Sequence, residues 1–154
     1  MRQIPQTIVF DASIAVKLFI HATDSMQART VYSFLVDGAR VAHIFVPDLL
    51  YFECANAFWK YVRQTGYATA DACQDLRDLL NLPFMVIPGD AIVDQALEIA
   101  CRNQISVYDA SYVALADHLK TSLVTADQRL AKLFAGSSPP VELLADYAAS
   151  ISHQ

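Results

Sequence analysis

Four acidic residues each interrupt an apolar stretch of this 154-residue chain: Asp11 in IVFDAS, Glu53 in LLYFECANAFWK, Asp109 in SVYDASYVALA and Asp127 in LVTADQRL. A carboxylate beside a buried strand, or on an apolar helix face, is costly unless something neutralises or hydrogen-bonds it. Four of them in one small chain point to a shared partner. The partner that suits several carboxylates at once is a hard divalent cation such as Mg²⁺. A cation held in this way activates water and stabilises charge on phosphorus, so the chemistry suggested is hydrolysis of a phosphate ester.

Each acid also has an ordinary structural reading. Asp11, Asp109 and Asp127 all stand where a helix begins and can cap it. Glu53 shares a helix face with Asn56 and Lys60, at i+3 and i+7, and can pair with Lys60 in a surface bridge of little worth. Tyr51, Phe52, Phe58 and Trp59 mark that helix as mostly buried, which makes Glu53 the more unusual. Lys60 and Arg63 suit either a phosphate backbone or a solvated edge. Ser13 and Thr125 can hydrogen-bond the acids or a metal-bound water, or can simply cap a helix or end a strand. The other acids read as caps and solvated faces.

The elements that must position these residues alternate. Apolar, β-rich runs at 7–10 (TIVF), 42–46 (AHIFV), 84–87 (FMVI), 122–125 (SLVT) and 141–144 (VELL) predict five strands. Between them, helices are expected over 13–19, from Asp24 to about Asp37 with Gly38 as the stop, from Asp48 to near Gly66, from Thr69 to about Leu80, from Asp90 to about Arg102, over 109–120 and over 127–134, with a final turn at the end. Uniformly apolar strands alternating with helices imply an α/β fold with a parallel sheet covered on both faces. In such sheets ligands bind beyond the carboxyl ends of the strands, near a switch in strand order. Asp11 and Asp127 are expected on that one rim, with Asp109 and Glu53 reaching it from helices.

The chain is 55% hydrophobic, 18% charged and carries a net charge of −5. So apolar a composition implies a large core, a surface covered by another chain, or both. No uncharged stretch is long enough for a membrane span, and LLNLPFMVIPG is broken by Pro83 and Pro88. The first residues show neither a long apolar core nor a cleavage site, so a cytoplasmic protein is expected. Cys54, Cys73 and Cys101 are odd in number and widely spaced, which argues against a disulfide framework or thiolate zinc site and predicts small buried residues. His21, His43, His118 and His153 have no HExxH spacing, which disfavours a zinc hydrolase. The negative charge argues against tight binding of long nucleic acid without metal, because such binders are normally basic.

The order and surroundings of the four acids resemble those of the PIN domain, most closely the VapC-type toxins of bacterial toxin–antitoxin pairs. IVFDASIAVKLF looks like the family's opening strand, VPDLLYFECANAFWK like its Glu-bearing helix, and ISVYDASYVALA followed by LVTADQRLA like its last two acidic segments. The resemblance spans nearly the whole chain, read as a single domain over 1–154. It implies a three-layer α/β/α PIN-like fold with a central parallel sheet of about five strands. It further implies a Mg²⁺- or Mn²⁺-dependent endoribonuclease whose catalytic and metal-binding residues are Asp11, Glu53, Asp109 and Asp127. An RNA substrate, a homodimer and a cognate antitoxin laying an apolar segment along the toxin also follow from it. Two other readings exist. One is a non-catalytic PIN-fold scaffold that binds a metal or partner. The other is a receiver or haloacid-type phosphatase, which would need a second acid where Ser13 stands or a paired acid before Asp11.

Overall fold

Residues Thr7–Phe10 form the central strand, β1, of the computed structural model, which describes residues 5–37 and 42–152. Around it lie β2 (His43–Pro47), β3 (Met85–Ile87), β4 (Leu123–Thr125) and β5 (Val141–Leu143), in the order β3-β2-β1-β4-β5. Every neighbouring pair is parallel, with Val9 opposite Phe45 on one side and Leu123 on the other. Successive strand residues point to opposite faces, so the full burial of Ile8, Val9 and Phe10 means that both faces of β1 are covered.

The cover comes from helices. The helix α6 (Val107–His118) packs on β1, β2 and β4, and residues 110–116 are all buried. A helix that is apolar all round belongs in a core, which explains why its sequence shows little amphipathic pattern. Against it lies α5 (Val93–Asn103), while α2 (Ser25–Val36) packs with α8 (Leu144–Ser152), which lies on β4 and β5. The result is the expected three-layer α/β/α arrangement. Between these elements run the short α1 (Ala12–Ala15), the long α3 (Leu50–Thr65), α4 (Thr69–Leu80) and the short α7 (Gln128–Leu133). No described helix is long and apolar enough to cross a membrane.

The strand order turns the chain outward in two directions from β1. One half runs through β2 to β3, the other through β4 to β5. The gap between β1 and β4 is therefore the switch point at whose carboxyl rim a crevice forms.

Several local expectations are corrected. The helix expected to start at Asp48 begins at Leu50 without a side-chain cap, and Asp90 lies in a separate single turn before α5. Thr69 is the first residue of α4 rather than its cap, and the last helix is nine residues rather than a turn. Asp24 precedes α2 but pairs with Lys17 at 2.7 Å instead of capping. Cys54 is buried, whereas Cys73 and Cys101 are exposed, because α4 and α5 each bury only a narrow stripe centred on small residues and leucine. The helix α3 is also less buried than expected: Phe58 is inside, but Phe52 is 84% and Trp59 52% exposed. One helix face meets the core, and the aromatic count of the segment exceeds what that face holds. The stop at Gly38, the leader reading of residues 1–4 and His153 lie outside the described residues. At the other expected stop, Gly66 closes α3 with φ +72°, a conformation that favours glycine.

Because α6 is the centre of one layer, truncating it should be expensive. Leu115→Ala, at a fully buried position, is expected to cost about 2–5 kcal/mol in urea denaturation. A loss under about 1 kcal/mol would mean that α6 is not part of the packed core.

Candidate functional site

At the carboxyl end of β1 the Asp11 side chain is almost fully buried, at 6% exposure. It caps α1 by accepting from the Ile14 backbone N–H at 3.3 Å, and it accepts from the Ser13 hydroxyl on one oxygen and the Thr125 hydroxyl on the other. Thr125 closes β4, so this contact spans the switch point. Each hydroxyl is also an acceptor. Ser13 Oγ takes the Ala126 N–H at 2.9 Å, and Thr125 Oγ1 takes the Asp127 N–H at 3.0 Å. The ends of β1 and β4 are thereby fastened together around one carboxylate.

Burial is the largest influence on Asp11 and pushes its pKa up, from an ordinary 3.8 to about 6. The three hydrogen bonds oppose this, and the nearby charge of Asp127 adds to it. Glu53 is raised as well, first by burial and then by the charges of Asp109 and Asp11, while its hydrogen bond to Tyr112 pulls the other way. Asp127 thus acts on Asp11, and both Asp11 and Asp109 act on Glu53. Asp109 and Asp127 in turn line a single cleft of about 500 Å³ with Ser106 and Arg129. On the other side a smaller hollow is lined by Ser13, Glu53, Asn56 and Lys60. The four acids are thus linked pairwise by charge, with Asp109 and Asp127 on one hollow and Glu53 on the other.

Local structure explains how each reaches it. Ser106 caps α6 by accepting from the Asp109 N–H at 3.0 Å, so Asp109 sits in the first helical turn and is not the cap that a structural reading suggested. Its carboxylate makes no hydrogen bond to another described residue. Asp127 is a true cap. One of its oxygens accepts from the Arg129 and Leu130 N–H groups at 2.8 and 3.2 Å. Glu53 does not pair with Lys60; its carboxylate accepts from the Tyr112 hydroxyl. Arg63 lies over the Trp59 ring, 5.1 Å from its centre.

Tyr112 is the residue that sequence reasoning passed over. At 2% exposure its ring is core, and its hydroxyl, raised in pKa by burial and by Glu53, fixes the Glu53 carboxylate. The available signal was a tyrosine in the apolar helix segment DASYVALA, where a buried phenol needs a partner.

The donor set is all hard oxygen, which suits Mg²⁺ or Mn²⁺ and not a soft metal. Among the described residues, however, no three His, Cys, Asp or Glu side chains draw close enough to form a group that could hold an ion. Asp11, Glu53 and Asp127 each turn to a neutral hydrogen-bond donor of their own rather than to one another.

The sequence profile of the PIN domain matches residues 8–134. The chain belongs to the PIN-domain family. It is 29% identical over 135 residues to the protein named Ribonuclease VapC3 of Pyrobaculum aerophilum, covering 86% of this chain and 98% of that one. A crystal structure from the same organism aligns with 96% of this chain and 90% of its own, at 24% identity and a TM-score of 0.68. A toxin–antitoxin complex from Klebsiella pneumoniae contains a chain that aligns with 87% of this one and 94% of its own, at 20% identity and a TM-score of 0.57. These solved structures share the PIN fold.

The raised pKa of Asp11 has a consequence for stability. A carboxyl whose folded pKa lies above its unfolded value contributes stability that is complete below about pH 3.8 and is lost as pH rises through about 6. In chelator, Asp11→Asn should therefore gain on wild type as pH rises from 4 to 7, reaching about 3 kcal/mol. Denaturant titrations at four pH values check this, and a gap that stays constant with pH would refute the assignment.

Proposed function

We propose that this PIN domain is a metal-dependent endoribonuclease that acts as the toxin of a toxin–antitoxin pair. One observation carries the reading: beside the switch point of a parallel sheet, four carboxylates lie close enough for three of their pairs to influence each other's protonation. The match to a relative named as a ribonuclease, over nearly its full length, supports RNA as the substrate.

Asp11, Glu53, Asp109 and Asp127 would hold Mg²⁺ or Mn²⁺. When bound, the cation supplies an acidified water and neutralises charge on the scissile phosphate. The protein's own part is orientation. Ser13 and Thr125 hold Asp11 in place, and Tyr112 holds Glu53. Asp109 has no competing hydrogen bond among the described residues and is the least constrained of the four. Arg129 beside Asp109 and Asp127, and Lys60 beside Glu53, offer positive charge to the phosphates that flank the cut bond. Under this reading the protein would act in the cytoplasm, where its RNA substrate lies.

The partners follow from apolar surface. Between α3 and α4 a groove of about 240 Å³ is lined by Phe58, Trp59, Val62, Ala72, Cys73 and Leu76, and it suits the apolar segment of an antitoxin. The toxin–antitoxin complex that shares this fold supports such a partner. A second copy would cover the exposed Met85 and Val86 of the edge strand β3. The reading as a non-catalytic scaffold draws on one observation, the lack of three converged metal-binding side chains among the described residues.

Incubation of the purified protein with RNA separates the two readings. Cleavage is expected with Mn²⁺ or Mg²⁺ and not with chelator. Asp11→Asn or Asp109→Asn should lower the rate by more than about 100-fold, the upper range for losing even an outer-shell partner of a metal, with unchanged circular dichroism. Full activity in either variant would overturn the site, and binding without cutting would favour the scaffold.

A second substitution separates the two roles of Asp127. Asp127→Ser keeps a capping oxygen but removes the acid, so stability should stay within about 0.5 kcal/mol of wild type while Mn²⁺ affinity measured by calorimetry falls. Unchanged affinity would reduce Asp127 to a cap.

A further inference from the structure

The segment from Ala126 to Arg129 divides two clefts, and its residues alternate between them. Asp127 and Arg129 line the acidic cleft, while Ala126 and Gln128 line a second one of about 480 Å³ on the same rim. The far wall of the second cleft runs from Lys17, in the turn after α1, through Thr23 and Asp24 to Gln27 in the first turn of α2.

Both walls are held rigidly. Ser25, 3% exposed, donates to the Ile20 carbonyl at 2.8 Å and accepts the Ala22 N–H at 2.9 Å. Arg29 donates to the carbonyls of Leu18 and Ile20 at 3.0 and 3.1 Å. The dividing turn is anchored by the Ala126 N–H on Ser13, the hydroxyl that also donates to Asp11. Any ligand seated in the second cleft is therefore in fixed register with the acids.

The chemistry of the cleft is specific. Its cation is already matched, since Lys17 Nζ lies 2.7 and 2.8 Å from the two Asp24 oxygens. A phosphate would have to break that pair and face Asp24. The amides of Gln27 and Gln128 and the hydroxyl of Thr23 make no hydrogen bond to another described residue. Free carboxamides on rigid walls, without net charge, suit a neutral planar group that both donates and accepts. In RNA that group is the edge of an unstacked base, which a glutamine amide can meet with paired hydrogen bonds. A volume of this size accommodates a nucleoside-sized ligand.

We propose that this second cleft receives one base of the RNA strand next to the scissile phosphate, and that Gln27 and Gln128 read its edge. The proposal rests on the ribonuclease reading for its ligand, and its test does not require cleavage. Short single-stranded oligoribonucleotides, and matched ones carrying a single abasic nucleotide, are titrated into ¹⁵N-labelled protein in chelator. The side-chain amide resonances of Gln27 and Gln128 should shift with the intact strands and not with those lacking the base at the critical position. Shifts that are identical for intact and abasic strands, or that leave both amides unmoved, would overturn the subsite.

Cleavage then separates the two claims. In Mn²⁺, the Gln27→Ala/Gln128→Ala variant, altered only at exposed positions, should lose about tenfold in kcat/KM through KM and flatten the preference for that base. On the abasic strand, variant and wild type should fall to the same rate. Retention of the wild-type base preference, or an equal loss on every strand, would overturn the proposal. If the amides move with the base while no metal permits cutting, the ribonuclease reading fails and the subsite stands. If RNA is cut while the amides stay unmoved, the reverse holds.

Discussion

The arrangement depends on how the Asp11 carboxylate is solvated without water. At the end of a buried strand it carries a desolvation cost of several kcal/mol unless donors replace the lost hydration. Two hydroxyls and one backbone N–H supply those donors. The hydroxyls come from α1 and from the end of β4, and each in turn accepts a hydrogen bond from a backbone N–H just after β4. Satisfying one acid therefore sets the relative position of the two strands that flank the switch point.

The same network governs the rest of the crevice. The turn after β4, held on Ser13 and Thr125, determines where Asp127 caps α7 and where Arg129 and Gln128 fall on either side. On the opposite side Glu53 is held by Tyr112, a phenol that belongs to the core and reaches the crevice only with its hydroxyl. Rigid elements thus carry each acid, and burial first, then the neighbouring carboxylates, raise the proton affinity of Asp11 and Glu53. An ensemble of acids kept close and imperfectly neutralised is a standing demand for positive charge.

Much of this was legible beforehand because the signals are local. Apolar β-rich runs alternating with helical periods are sufficient to imply a parallel sheet, and an acid that ends such a run lies on its carboxyl rim. The helix starts were less legible. Asp48, Asp90 and Thr69 have capping chemistry, yet packing set the helix origins one or more residues away. Aromatic density suggested that α3 was buried. Only its contact with the core shows that Phe52 and Trp59 lie outside.

By itself, the sequence determined the fold class, the rim to which Asp11 and Asp127 belong, and the identity of the four acids, since residue type and period are properties of short segments. Tertiary structure alone decided which of those acids touch what. The Asp11–Thr125 bond joins residues 114 positions apart, and the Tyr112–Glu53 bond joins residues 59 apart. No local pattern encodes such pairs, because they exist only once the sheet brings β1 beside β4 and α6 across both. The alternation of residues 126–129 between two clefts has the same origin: a turn has sides only when the walls facing it are in place.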